Sequence, residues 1–62
     1  MKNNIAAIRK RKNISQQELA KMVGCSHWWL NNIENGRRSP GLSLVMKISE
    51  KLEVTLNDIF LD

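Results

Sequence analysis

Between Ser26 and Asn32 the chain reads Ser26-His27-Trp28-Trp29-Leu30-Asn31-Asn32, and Asn35, Arg37 and Arg38 follow just beyond. These residue types suit nucleic-acid chemistry. An asparagine carboxamide can bond N6 and N7 of adenine bidentately, worth about 1–3 kcal/mol of discrimination per good pair. The His27 imidazole can donate to guanine N7 or O6, or to a phosphate. Asn35, Arg37 and Arg38 form a polar, basic stretch whose cations and backbone N–H groups can grip phosphate oxygens. Two adjacent tryptophans are costly on a surface, and an exposed one usually marks an interface. The plain alternative is a polar helix end followed by a generic basic loop.

Other chemistries lack their residues. One cysteine, Cys25, and one histidine, His27, cannot make an internal disulfide or a structural zinc site of about four protein ligands. Paired carboxylates, an activated nucleophile and a glycine-rich phosphate loop are all missing. Neither an enzyme nor a metal, a cofactor or a small-molecule effector is therefore expected. The single thiol fits a reducing cytoplasm. No apolar stretch is long enough to cross a membrane, and Met1-Lys2-Asn3-Asn4-Ile5 has no signal-peptide core. A soluble, cytoplasmic protein is the expectation.

The net charge of +4 is unevenly placed. Residues 1–40 carry eight Lys/Arg against Glu18 and Glu34, whereas residues 41–62 carry Lys47 and Lys51 against Glu50, Glu53, Asp58 and Asp62. A basic front and a mildly acidic back is the footprint of a nucleic-acid binder. A solvated surface that happens to be basic fits the same composition. With 62 residues the chain is expected to form one domain over 1–62. Its core is marginal at that size, so regular helix packing and a partner subunit must supply stability.

The elements that position these residues are five short helical segments with no strand. The first runs from Lys2 or Asn3 to Lys12, with Ile5 and Ile8 on one face. Arg9, Lys10, Arg11 and Lys12 close its last turn, where cations complement the helix dipole. Asn13 breaks the pattern and Ile14 plugs the core. Ser15-Gln16-Gln17-Glu18 is a capping box that starts the second helix. Leu19, Met22 and Val23 form its apolar stripe, and Gly24 ends it with a left-handed residue. Ser26 caps the third helix, predicted from His27 to about Asn35 with Leu30 and Ile33 inward. Only Gly24-Cys25-Ser26 joins the two, which suits a steep crossing of the helix-turn-helix kind. After the loop Arg37-Arg38-Ser39-Pro40-Gly41, a fourth helix over Leu42 to Leu52 is expected to bury Leu42, Val45, Met46, Ser49 and Leu52. Thr55 caps a last short helix in which Leu56, Ile59 and Phe60 complete the core.

In this order the residues resemble the lambda-repressor-like, Cro-type helix-turn-helix regulators, also called the xenobiotic-response-element family. The resemblance rests on Ile14-Ser15-Gln16-Gln17-Glu18-Leu19-Ala20, Gly24-Cys25-Ser26 and Ile33-Glu34-Asn35-Gly36. Arg37, Pro40, Leu42 and the tail Val54-Thr55-Leu56-Asn57-Asp58-Ile59-Phe60 continue it, so it covers nearly the whole chain. It implies a compact all-α domain of five helices, with the helix-turn-helix at about residues 16–35 and the third helix in the major groove of double-stranded DNA. The segment His27–Asn32 departs from the family, which more often carries small polar, Gln, Arg or Lys residues there.

The resemblance also assigns roles. Ser26, His27, Trp28, Asn31 and Asn32 are expected to face bases, with the Trp28 ring against thymine methyl groups. Gln16, Asn35, Arg37 and Arg38 are expected at phosphates, Gln16 also bracing the third helix. Trp29 is expected to pack half-buried between core and groove wall, with its indole N–H at a phosphate. One residue of the Lys10-Arg11-Lys12 run is expected to approach DNA. Arg9 and Glu34 match a family salt bridge that ties the first helix to the end of the third. Cys25 is expected to pack, and Ala20 to allow close approach of the motif helices. Family members usually pair so that two recognition helices lie about 34 Å apart. Leu44, expected to face solvent, and the apolar end with Phe60 and Leu61 are the candidate dimer contacts.

The expected function is sequence-specific binding of a palindromic operator by a homodimeric transcriptional regulator, most simply a repressor. The alternative is a protein-interaction module, antitoxin-like in its partner binding, with weak or no specific DNA contact.

Overall fold

The computed structural model describes residues 2–60, which form five α-helices and, among those residues, no strand. Helix α1 spans Ile5–Arg11, α2 Gln16–Val23, α3 His27–Glu34, α4 Leu42–Leu52 and α5 Leu56–Ile59. Each local signal acts at a helix end. At the start of α2, Ser15 Oγ accepts the Glu18 N–H at 3.0 Å and the Ser15 N–H donates to Glu18 Oε1 at 2.9 Å. The start of α5 repeats this with Thr55 and Asp58. Two of the four orphan N–H groups that open each helix are thereby satisfied.

The turn between α2 and α3 follows from one backbone conformation. Gly24 sits at φ +77°, and the N–H groups of Gly24 and Cys25 both donate to the Ala20 carbonyl, at 2.9 and 3.0 Å. A side chain at Gly24 would meet no neighbour, so glycine is needed there for its dihedral freedom and not for space. Ser26 caps α3 by accepting the Trp29 N–H at 3.0 Å. Asn13 and Glu53 adopt left-handed conformations as well, closing α1 and α4.

Ile5, Ile8, Leu19, Ala20, Val23, Leu30, Ile33, Val45, Ile48, Leu52 and Ile59 form the core. The ends of the fold are tied together by polar bonds. The Asn4 N–H donates to the Ile59 carbonyl at 2.8 Å, and the Asn3 side chain donates to the Ile33 carbonyl at 2.8 Å. That second bond holds the last turn of α3 from behind.

The buried face of α4 differs from the expected one. Val45, Ile48 and Leu52 are inside and Ser49 is half-buried, whereas Leu42 is 69% exposed and Met46 54%. Leu44, expected to face solvent, is half-buried against the core. Apolar residues crowd this helix, so two stripes satisfy helical periodicity, and the one with Leu44 and Ile48 fits the space beside α2 and α5. Met22 and Leu56 are likewise more exposed than an inward stripe requires, each at 39%. Phe60 is half-buried against the core, and Leu61 lies outside the described residues.

Candidate nucleic-acid interface

Helix α3 presents its first turns outward because Leu30 and Ile33, both fully buried, fix its rotation. Residues one helical turn apart then share a face, which groups His27, Trp28, Asn31 and Asn35. His27, Trp28 and Asn35 are exposed, and Asn31 is half-buried. His27, Trp28 and Asn31 line a shallow open hollow of about 310 Å³. Ser26, beside them, accepts the bond that caps the helix and keeps its hydroxyl proton to donate.

A polar cluster braces α3 from behind. Glu34 receives the Arg9 guanidinium through two bonds, Nε to Oε2 at 2.9 Å and Nη2 to Oε1 at 3.0 Å. The two side chains are 10% and 4% exposed. Arg9 Nη1 also donates to the Ile14 carbonyl at 2.9 Å, fixing the entry to α2. Gln16 Nε2 donates to Glu34 Oε1 at 3.1 Å, while Gln16 Oε1 accepts from Asn31 at 3.5 Å. Gln16 therefore links α2 to the C-terminal half of α3 at Asn31 and Glu34, with one further amide proton for a phosphate. Among the described residues, no buried side-chain polar atom lacks a partner.

Asn32 corrects the sequence reading. It was expected at a base edge, but it is 8% exposed. Its amide donates to the Trp28 carbonyl at 2.8 Å, and its Oδ1 accepts from Arg37 at 3.4 Å. Its backbone carbonyl accepts the N–H groups of Arg37 and Arg38. Four residues after Trp28 and three after Trp29, it lies on their flank and beneath the loop. That spacing was the available signal. Asn32 fastens the Arg37-Arg38 loop to α3, and its buried amide is turned to the Trp28 carbonyl and to Arg37.

Trp28 and Trp29 have separate environments. Trp28 is 61% exposed, whereas Trp29 is half-buried against the core. Their ring centroids lie 6.0 Å apart at an interplanar angle of 35°. The Arg38 guanidinium lies over both rings, 5.8 Å from the Trp28 centroid and 5.7 Å from that of Trp29. Sequence reasoning placed Arg38 at a phosphate and did not find this stacking, for which the order of residues gives no signal ten positions away. Arg37 and Asn35 are exposed at the end of α3, where Asn35 also donates back to the Asn31 carbonyl at 2.8 Å.

Two carboxylates are held below their usual range. Backbone and side-chain hydrogen bonds from Ser15 lower Glu18, and those from Thr55 lower Asp58, with Arg11 adding attraction. Both stand at helix starts away from α3, whose own first turn carries no acid. Partial burial pushes the Cys25 thiol up, consistent with a packing role for a half-buried thiol. No group of three His, Cys, Asp or Glu among the described residues could hold a metal ion. No helix among them is long and apolar enough to cross a membrane.

The profile of the helix-turn-helix family matches residues 5–59. An uncharacterized HTH-type transcriptional regulator of Methanocaldococcus jannaschii, MJ0272, is 38% identical over 61 residues, covering 98% of this chain and 92% of its own. In structure the chain is similar to the restriction-modification controller protein C.AhdI from Aeromonas hydrophila, with a TM-score of 0.84 at 25% identity over 90% of this chain and 85% of that one. It is also similar to the N-terminal DNA binding domain of SinR from Bacillus subtilis, with a TM-score of 0.78 at 31% identity over 86% and 78% of the two chains.

Proposed function

The chain belongs to the lambda-repressor-like, Cro-type helix-turn-helix family of DNA-binding transcriptional regulators, and on that premise we propose that it represses transcription as a homodimer on a palindromic operator. In this reading residues 1–62 act as one DNA-binding domain, and α3 of each protomer enters a major groove. The observation that carries it is the α3 surface itself. His27, Trp28 and Asn31 stand outward at the front of a rigidly braced helix, with Arg37 and Arg38 beside them and no acid in its first turn. Asn31 and His27 supply donors and acceptors for base edges, and the Trp28 ring supplies apolar contact for thymine. Ser26 and Asn35 border them, with Asn35, Arg37 and one proton of Gln16 at phosphates.

The dimer follows from the small surface of one domain, which reads only a few base pairs. Two recognition helices about one turn apart double the contact. With Leu44 half-buried, the apolar side chains offered for a symmetric contact are Leu42 and Met46 on α4, together with the partly covered Phe60.

The test is selection from a randomised duplex library at near-physiological salt. An enriched inverted repeat with half-site centres about 34 Å apart is the expected result. Enrichment of a single half-site would remove the homodimer. No enrichment by folded protein would remove specific DNA binding and leave the exposed Trp28 surface to a protein partner.

A further inference from the structure

We propose that Arg38 is a positioning residue that holds Trp28 and Trp29 as an apolar plate reading the C5-methyl group of pyrimidines. The inference rests on the DNA-binding reading and changes what Arg38 does within it. As a phosphate contact, Arg38 would point its guanidinium away from the helix toward the DNA backbone. Instead it lies nearly equidistant from both ring centroids, at 5.8 and 5.7 Å, within the range where a cation is attracted to an aromatic face. No ion pair among the described residues competes for it.

The placement is fixed at both ends. The Arg38 N–H donates to the Asn32 carbonyl at 3.3 Å, and the Asn32 amide donates to the Trp28 carbonyl at 2.8 Å. One buried asparagine thus ties the backbone of the cation to the backbone of the ring it covers. Trp29 is half-buried against the core, so Arg38 holds the exposed Trp28 ring beside a neighbour that the core seats. A ring held in this way offers a broad apolar surface at the front of the recognition helix. The apolar group that base pairs display in the major groove is a methyl on pyrimidine C5. Thymine carries it, and so does 5-methylcytosine.

The experiment uses the whole chain and the site recovered by selection. Each thymine is replaced in turn by uracil, which removes only the methyl group, and each cytosine by 5-methylcytosine, which adds one. For the wild-type protein, uracil at the position facing Trp28 is expected to weaken binding about four-fold per methyl, the effect of burying one methylene-sized group. A four-fold gain from 5-methylcytosine, with no loss from uracil, would identify methylcytosine as the source. Arg38→Gln and Trp28→Ala should both erase this discrimination. Arg38→Gln should also leave the salt dependence unchanged and alter the near-ultraviolet dichroism of the free protein. Arg38→Lys, which keeps a cation over the rings, should restore part of the discrimination.

The proposal is overturned if Arg38→Gln keeps the methyl discrimination and lowers the log–log salt slope by about one, the mark of a lost phosphate contact. It also falls if the wild-type protein is indifferent to every methyl group. A wild-type protein that selects no site would sink the DNA-binding reading as well. The tryptophan dichroism then separates the two failures, because it reports the Arg38 contact without DNA.

Discussion

At the C-terminal end of α3, Glu34 accepts two bonds from Arg9 and one from Gln16, and its side chain is 4% exposed. At the N-terminal end Trp28 stands 61% exposed under a cation that belongs to the next loop. One helix therefore carries a closed polar clasp behind and an open aromatic face in front. The clasp consumes nearly all of its hydrogen-bonding capacity internally, the second amide proton of Gln16 excepted. The front leaves His27 and Trp28 uncovered beside a half-buried Asn31, and an exposed tryptophan is unfavourable for an isolated domain and useful against a partner surface. Bracing and aromatic exposure thus fall at opposite ends of eight residues.

If that division holds, the largest effect on folding comes from opening the clasp. Glu34→Ala leaves the Arg9 guanidinium buried without its partner, which costs about 3–5 kcal/mol. In so small a domain, 1 kcal/mol moves the melting temperature by about 4–8 °C, so this variant should be largely unfolded at 37 °C. Removing both charges, as Arg9→Met with Glu34→Leu, should recover much of the loss. Thermal melts of Arg9→Met, Glu34→Leu and the double variant give the coupling. Additive losses would show that the pair is not acting as one buried unit.

Asn32 comes next. Asn32→Ala removes the side-chain bonds to the Trp28 carbonyl and from Arg37, while the backbone carbonyl of residue 32 still accepts the Arg37 and Arg38 N–H groups. Losing a buried amide with two partners costs about 1–3 kcal/mol. Its effect on DNA should be a uniform loss across sequences, because it reads no base. A change of preferred base with unchanged stability would move Asn32 from the clasp to the front and break the comparison at its least obvious member.

The same division explains what was legible in the sequence. The five helices, their caps and the three-residue turn follow from local chemistry: Ser15 with Glu18, Gly24 at positive φ, Ser26, and Thr55 with Asp58. The buried stripe of α4 was not legible, because Leu42, Leu44, Met46 and Ile48 are all apolar and the choice among them is made by neighbouring helices. Within the site, the exposed character of His27 and Trp28 follows from Leu30 and Ile33 facing inward. The burial of Asn32 had only its spacing from Trp28 and Trp29 as a signal, and the placement of Arg38 over the rings depends on where a loop returns, which no helical period encodes.

Smaller effects are expected at the helix starts, and they sharpen the contrast. Ser15→Ala should cost about 1 kcal/mol. Glu18 and Asp58 are both lowered in the folded protein by their capping hydrogen bonds. A carboxylate with a depressed folded-state pKa contributes fully above its unfolded-state value and loses that contribution as pH falls through the folded-state value. Stability should therefore decline on acidification through and below the ordinary carboxylate range, and Glu18→Gln with Asp58→Asn should flatten that limb. The α3 start has Trp29 where the other two boxes have an acid. That arrangement keeps negative charge away from a phosphate backbone.

The smallest effect on the fold is expected from the most conspicuous residue. Trp28→Ala deletes a large side chain, yet most of that side chain is already in water and Trp29 retains its own place against the core. The Arg38 guanidinium keeps one of its two rings. Surface substitutions of this kind usually change stability by less than about 0.5 kcal/mol, so the melting temperature should barely move while specific DNA affinity falls. A drop of several degrees would instead mean that the tryptophan plate is part of the scaffold. The front of α3 would then be stabilised by the same residues that meet DNA, and the separation between its two ends would not exist.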